Sequence, residues 1–287
     1  MIPLIKLKKD VLFNGELTKV VDVLKGIAAA RYHVLERQMA MFEQFFQVCE
    51  EFFASVDVSR LDHPFVRPYG PETAVLLVTT DAGFLGGLNS QVVNVGLKEG
   101  GSNAQYSVIG ERGYGVLRDM KLEFAPFPGI QDDGREALAF AVRDHLVRQV
   151  LTGRCGRVAV VYPKPVSFSV QEVTVETLIP FGAPRPSASS GRMGAQSADL
   201  LWESRPEDVV EYVVIQWMGH RLAALFALSR LAELAARSVH LEGSFQELNR
   251  IGKRLKHEYF RARHEVIDRS MREIFAAQLL YGKQREE

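Results

Sequence analysis

The chain has 287 residues and a mass of 32.2 kDa, which excludes a peptide hormone, a disulfide miniprotein and a large multidomain machine. An apolar fraction of 47% is ample for a core, and thirty-five basic side chains balance thirty-five acidic ones. No global field therefore draws the protein toward nucleic acid or anionic lipid. Cys49 and Cys155, the two cysteines, fit a reducing compartment and exclude a disulfide framework or a four-cysteine zinc site.

Neither the N-terminal residues nor the longest apolar stretch of the sequence predicts a membrane segment. The first ten residues, MIPLIKLKKD, carry lysines but no apolar core and no small-residue cleavage site, so we expect no signal peptide. The longest apolar stretch, 222–228, is far shorter than the ~20 residues that cross a bilayer. We expect a soluble, intracellular chain that acts at a membrane only through a partner.

The first segment, residues 1–58, is predicted to be a coiled-coil helix. It has no proline after Pro3, and its apolar residues recur at alternating steps of four and three, which is a heptad seam. An upstream run of the same type falls out of register with the main run at Arg31. The main run is Leu35, Met39, Phe42, Phe46, Cys49, Phe53 and Val56, and the upstream run is Leu17, Val21, Leu24 and Ala28.

The middle segment, residues 70–200, is predicted to be a Rossmann-like α/β domain. Buried strands are predicted at 73–80, 106–110 and 157–162, with helices at 87–98 and 133–151. This alternation favours parallel strands. The segment 168–179 alternates apolar and polar residues, as a half-exposed edge strand does, and 181–200 is predicted to be a Gly-, Ser- and Pro-rich loop.

The last segment, residues 206–287, is predicted to be a second coiled-coil helix. After Pro206 no proline occurs, and a heptad-like stripe is interrupted where Gly252 falls on it. The stripe consists of Leu241, Phe245, Leu248, Leu255, Tyr259, Ala262 and Val266. A helix this long cannot be buried by one small domain. We therefore predict that the two terminal helices form an antiparallel coiled coil, with the α/β domain inserted between them.

A glycine-rich turn at 80–89 (TDAGFLGGLN) follows a predicted strand and opens a helix, where a phosphate cradle would lie. Its spacing is not GxGxxG, and it lacks the lysine of a P-loop. The alternatives are a nucleotide site and a structural turn in which glycines permit close packing. For the structural turn, the candidate residues are Asp81, Gly83, Gly86, Gly87 and Asn89.

We find no convincing active site in the sequence. The seven histidines are scattered without an HExxH motif, and Cys155 lies in a loop with no predicted base. We therefore predict no catalytic residue, no metal and no cofactor. From Arg250 to Arg272 the charge is mostly basic, which is consistent with a solvated helix face or with a track that meets an acidic partner.

Four stretches resemble the gamma subunit of F-type ATP synthases over nearly the whole chain. LKGIAAAR at 24–31 is similar to the family's MKMVAASK, and TDAGFLGGLN at 80–89 is similar to SDRGLCGGLN. YFRARH at 259–264 resembles YNRARQ, with Ile267, Met271, Glu273 and Ile274 following the family's next helical positions. The stretch 233–237 matches Glu-x-Ala-Ala-Arg without a gap. The order of helix, α/β domain and helix agrees with this family.

The resemblance implies a non-enzymatic central rotor shaft. In this family the helix pair turns inside a ring of three alpha and three beta subunits, and the α/β body lies on the membrane c-ring beside the epsilon subunit. A peripheral location on the cytoplasmic face of a bacterial membrane follows. The partner-contact residues implied by the resemblance are Lys25, Arg31, Arg237, Arg250, Arg254, Tyr259, Arg261, Arg263, Ile267 and Ile274.

The sequence also departs from the family pattern. Ala82 and Leu85 replace a basic or polar residue and a cysteine, and a charged tail ends the chain. These differences resemble those of a divergent branch, such as the alternative bacterial ATPases. Two other hypotheses stay open, namely a stand-alone nucleotide- or phosphate-binding α/β protein and a coiled-coil adaptor without rotary partners.

Overall fold

A computed structural model describes residues 3–38, 46, 48–49, 52–53, 62–101, 103–181 and 204–283. Its elements in chain order are α1 (Leu4–Gln38), β1 (Glu72–Val78), α2 (Leu88–Gly100), β2 (Ala104–Ile109), α3 (Glu111–Asp119), β3 (Phe124–Phe127), α4 (Arg135–Leu151), β4 (Cys155–Pro165), β5 (Gln171–Ile179) and α5 (Pro206–Lys283).

The contacts divide the chain into two units. One, here called the helix-pair unit, consists of Met1–Ile27 and Ser238–Glu287. The other, here called the α/β unit, is Ala28–Arg237.

The helix-pair unit is an antiparallel pair, which confirms the predicted topology. Asn14 of α1 donates to the carbonyl oxygen of Leu248 at 3.1 Å, and Lys25 contacts Glu242 at 3.0 Å. As the residue number rises along α1, the number of its partner on α5 falls. The two helices therefore run in opposite directions.

The seam of α1 differs from its prediction by part of a turn. Leu7, Asn14 and Val21 are buried in the helix-pair unit, at steps of seven. Leu17 and Leu24, which were predicted to lie on this seam, are 38% and 42% exposed. Apolar residues cover more than one face of α1, so the heptad spacing alone did not identify the face that packs.

On α5 the predicted stripe is confirmed over most of its length. Leu241 is buried, and the stripe stays at least half-buried as far as Ala262. Val266, which was predicted to belong to it, is 48% exposed. Gly252, which interrupts the stripe, faces Asn14 of α1. A Cβ at this position would lie 2.7 Å from the side-chain nitrogen of Asn14.

A five-stranded sheet forms the centre of the α/β unit. The strand order is β3-β2-β1-β4-β5, with β1 to β4 parallel and β5 antiparallel to β4. The Rossmann-like prediction is confirmed, and the predicted edge strand is β5. The short elements α3 and β3, with nine and four residues, were not predicted from the sequence.

Both faces of the sheet are covered by helices. In β1, Leu76 faces a core that includes residues of α4 and α5, whereas Leu77 faces a second core with residues of α2 and α3. This alternation follows from the two-residue period of a strand, and burial on both faces explains the continuously apolar strand sequences.

Parts of two predictions, the N-terminal heptad run and the loop at 181–200, lie outside the described residues. This applies to Met39, Phe42 and Val56 of the predicted heptad run and to most of the predicted loop at 181–200. Cys49 and Phe53 are described, and both are buried in the core on the α4 and α5 side of the sheet.

Candidate functional site

The glycine-rich turn is held together by its own hydrogen bonds. The backbone N–H of Thr80 donates to Asn89 Oδ1 at 3.2 Å, and Asn89 Nδ2 donates to Thr80 Oγ1 at 3.0 Å. Asp81 Oδ1 accepts from the backbone N–H of Glu111 at 2.9 Å. Gly87 has a φ of 85°, a left-handed conformation that glycine adopts at little cost.

The same turn packs against the C-terminal helix. Leu85 and Leu88 are buried in a small cluster with Ala236 of α5. Leu85, a departure from the family's cysteine, is thus a packing residue here. The arrangement supports the structural interpretation of the turn.

An open cleft of about 720 Å³ lies between this turn and α3. Its lining includes Asn89, Arg112, Glu111 and Asp119. The two carboxylates oppose the single guanidinium, and the lysine that a P-loop needs is absent from the turn. This charge pattern is unfavourable for a nucleotide polyphosphate.

Lys25 forms contacts within the chain. Its Nζ lies 3.0 Å from both Asp22 and Glu242 and 4.4 Å from the ring centroid of Phe245. Hydrogen bonds to Asp22 and then Glu242 raise the pKa of the Lys25 ammonium, and the pKa of the Glu242 carboxyl is lowered mainly by its bond to Lys25. Lys25 therefore joins the two helices of the helix-pair unit.

Arg237 also has an intrachain partner. Its guanidinium contacts the buried carboxylate of Glu233 at 2.5 Å, and Arg230 contacts the other oxygen of Glu233 at 2.7 Å. Arg237 retains only 18% side-chain exposure. The Glu-x-Ala-Ala-Arg stretch thus builds an ion-pair network on one helix.

The other predicted partner-contact residues are mostly exposed. Tyr259 is half-buried on the seam of the helix pair, and the remaining ones are exposed. They are Arg31 in the α/β unit and Arg250, Arg254, Arg261, Arg263, Ile267 and Ile274 in the helix-pair unit.

A stretch of α5 from Arg263 to Ala277 is exposed at every position. Large apolar side chains nevertheless recur on it at Ile267, Met271 and Ile274, which are 46%, 54% and 58% exposed. This spacing of four and three is a heptad pattern of its own, because five positions separate Ile267 from Ala262, and it lacks the burial of the stripe that ends at Ala262. We call residues 263–277 the exposed end of α5.

A second exposed apolar stripe, on α1, was not predicted from the sequence. On α1, large apolar residues at steps of four and three lie on the open side of the helix-pair unit, and they are Phe13, Leu17, Val20, Leu24 and Ile27. Their spacing is visible in the sequence, but it equals that of the buried seam.

The part of the chain that the structure describes contains no candidate catalytic centre. No group of three His, Cys, Asp or Glu side chains within it could hold a metal ion. His63 is buried and bonds Glu211 at 2.9 Å, whereas His257 and His264 are exposed on α5. Cys155 is buried, and desolvation raises the pKa of its thiol to about 11, which disfavours the reactive thiolate.

None of the described helices has a stretch apolar enough for a membrane span.

Comparison with known proteins matches almost the whole chain. The model of the family described as ATP synthase covers residues 13–278. The "ATP synthase gamma chain" of Rhodopirellula baltica is 25% identical over 271 residues, which is 90% of this chain and 92% of that protein. That of Akkermansia muciniphila is 23% identical over 278 residues and covers 94% of both chains.

Solved structures share the fold. A chain in the OSCP/F1/c-ring structure of the Euglena gracilis mitochondrial ATP synthase has a TM-score of 0.68 at 15% identity, covering 99% of this chain and 96% of that one. A chain in the rotor structure of the same enzyme has a TM-score of 0.65 at 14% identity, covering 92% and 98%.

Proposed function

This chain belongs to the ATP synthase gamma-chain family, and we propose that it is the central rotor shaft of an F-type ATP synthase. As a non-catalytic subunit, it couples ion flow through the membrane c-ring to ATP synthesis or hydrolysis in a head of alpha and beta subunits. The observation that carries this proposal is the exposed end of α5, which bears an uncovered heptad pattern within an otherwise packed helix pair.

We propose that a surrounding partner covers the exposed end. Ile267, Met271 and Ile274 would expose apolar area to water in the isolated chain, and each side chain gains about 1.5–3 kcal/mol when it is fully buried. A ring of alpha and beta subunits supplies an enclosing surface. The apolar stripe on α1 from Phe13 to Ile27 fits the same environment.

The basic residues of α5 are proposed to contact acidic segments of the beta subunits. Arg254, Arg261 and Arg263 are exposed, so their charges are available to a partner. We propose a different role for Lys25 and Arg237, whose intrachain ion pairs hold the helices in shape and position the partner surfaces.

We propose that the segments 1–58, 70–200 and 206–287 are the functional parts of this subunit. The α/β domain would lie on the c-ring beside the epsilon subunit, with no cofactor. The protein would be a peripheral component on the cytoplasmic face of a bacterial membrane, held there by the complex.

Co-purification tests the proposal directly. A tagged copy is expressed in the native host, the membranes are solubilised in mild detergent, and the co-purifying subunits are identified by mass spectrometry. We expect alpha, beta, epsilon and c subunits with ATPase activity. Recovery of the chain alone would contradict the rotor assignment, and ATP binding by that isolated chain would favour the stand-alone nucleotide-binding alternative.

A further inference from the structure

Two arginines of α5 join this helix to opposite edges of the sheet. Arg221 donates two hydrogen bonds to Glu176 of the edge strand β5, from Nε to Oε1 at 2.5 Å and from Nη2 to Oε2 at 2.9 Å. Arg230 donates from Nε to Asp132 at 3.2 Å, in the connection that leaves the other edge strand, β3. All four residues belong to the α/β unit.

The two side chains leave the helix on opposite sides. They are nine positions apart, which is about two and a half turns at 3.6 residues per turn. Between them lies the buried face of α5, which includes Leu222, Leu225 and Phe226 in the large core. One ion pair thus flanks each side of the packed face.

The two pairs differ in how far they are removed from water. The Arg221 and Glu176 side chains are 33% and 22% exposed, whereas Arg230 is 15% exposed and its partner Asp132 is 50% exposed. Glu176 is also within 3.4 Å of the Tyr162 hydroxyl, and Arg221 lies over the ring of Phe46 at 5.5 Å. The Arg221–Glu176 pair is bidentate. Its two charge-assisted hydrogen bonds are directional and roughly twice as strong as bonds between neutral groups.

Apolar packing and ion pairs resist different movements. The apolar contacts of α5 oppose its separation from the sheet, because burial is favourable and non-directional. A turn of α5 about its own axis would extend one ion pair and compress the other, whichever way it turned. The guanidinium groups of both arginines also lie far from the axis of α5, so a force on them has a long lever arm about that axis.

We propose that Arg221 and Arg230 are paired anchors that prevent α5 from turning or sliding against the sheet, so that torque passes between the α/β domain and the helix. This inference rests on the proposed rotor function. In this role they are positioning residues, because they act through α5 and contact no nucleotide.

The test removes the acidic partners and leaves α5 itself unchanged. Glu176→Gln, Asp132→Asn and the double variant are assembled into the membrane complex, and ATP-driven ion uptake into vesicles is measured per ATP hydrolysed. The matched control is Glu99→Gln, which breaks the Arg157–Glu99 pair (2.6 Å) inside the same unit without involving α5. Thermal unfolding of each variant shows whether it is folded.

We expect the double variant to lower the uptake ratio about fivefold, the factor that corresponds to about 1 kcal/mol, with smaller losses for each single variant. Hydrolysis by the detached head and the uptake ratio of the control should stay at the wild-type values. The charge-swapped pair Glu176→Arg with Arg221→Glu should recover uptake lost through Glu176. Unchanged uptake in the double variant, or an equal loss in the control, would overturn the inference.

Hydrogen exchange on the isolated full chain separates this inference from the rotor proposal. Loss of both anchors should speed amide exchange in the part of α5 between Pro206 and Arg237, whereas Glu99→Gln should not. Unchanged exchange would overturn the anchors even if the complex assembles. Failure of the wild-type chain to assemble would instead contradict the rotor function.

Discussion

Asn14 of α1 and Gly252 of α5 fit together as a polar notch in the seam of the helix pair. Asn14 is 8% exposed, its Nδ2 donates to the Leu248 carbonyl oxygen, and a Cβ on Gly252 would lie 2.7 Å from that nitrogen. A buried polar residue at a seam position fixes the register of a coiled coil at a cost in stability. The glycine that interrupts the stripe therefore has a packing reason.

Gly252→Ala should destabilise the helix pair, whereas Gly243→Ala should stabilise it. A Cβ at Gly243 meets no atom within 4 Å, so that variant should gain up to about 1 kcal/mol from helix propensity. At Gly252 the added Cβ should displace the Asn14 amide and break its hydrogen bond to Leu248, with a net loss of about 1–2 kcal/mol in the free energy of unfolding. Urea denaturation followed by circular dichroism measures both.

The double variant Asn14→Ala with Gly252→Ala serves as the control for the clash. Because the shorter side chain vacates the space, Asn14→Ala should be less damaging in the Gly252→Ala background than in the wild type. Additive losses in this cycle would contradict the proposed notch.

Leu255→Asp with Tyr259→Asp should open the helix pair while the α/β domain stays folded. Both residues are half-buried on the stripe, and each buries apolar area worth up to about 1.5–3 kcal/mol. Helix content should fall and coupling in the assembled complex should decrease. Val266→Asp, which lies seven residues beyond Tyr259 and is exposed, should leave the stability of the isolated chain within about 0.5 kcal/mol. Wild-type coupling in the double aspartate variant would contradict the seam.

Stability should fall as the pH rises above about 9. Burial raises the pKa of Cys155 to about 11 and, with a contribution from Glu176, that of Tyr162 to about 12. Above its ordinary pKa each group ionises in the unfolded chain but stays protonated in the folded one, so unfolding releases protons and is favoured by alkali. Each unit of difference corresponds to about 1.4 kcal/mol.

Cys155→Ala isolates the thiol contribution. Urea titrations between pH 7 and 11 should show a shallower fall in the free energy of unfolding for this variant. The native wild-type thiol should also react slowly with a disulfide reagent at pH 8, because Cys155 is 1% exposed and protonated. An identical pH profile in the variant would show that the buried thiol does not contribute.

Arg261→Glu with Arg263→Glu should weaken the contact with the beta subunits without changing the isolated fold. Both arginines are exposed, so reversal of their charges should shift the free energy of unfolding by no more than about 0.5 kcal/mol. ATP-driven ion uptake should fall, and the wild-type interaction should weaken as salt rises. Unchanged uptake at low salt would contradict the basic contact surface.

The sequence by itself determined the architecture of this protein. Heptad spacing from Leu241 to Ala262 and continuously apolar strands such as β1 depend on local periodicity, and the glycine-rich turn before α2 depends on the conformational freedom of glycine. Such periodicity follows from backbone geometry, so it can be read without a partner. The short elements α3 and β3 escaped because nine and four residues contain too few periods.

Only the tertiary structure decided which of several similar residues pack, pair or stay exposed. Leu17 and Val21 have equivalent spacing in sequence, yet the former is exposed and the latter is buried, because the position of the second helix selects the face. Arg221 and Arg230 likewise resemble other helix arginines, such as Arg250. Their carboxylate partners lie 45 and 98 positions away, and the fold alone brings these charges together.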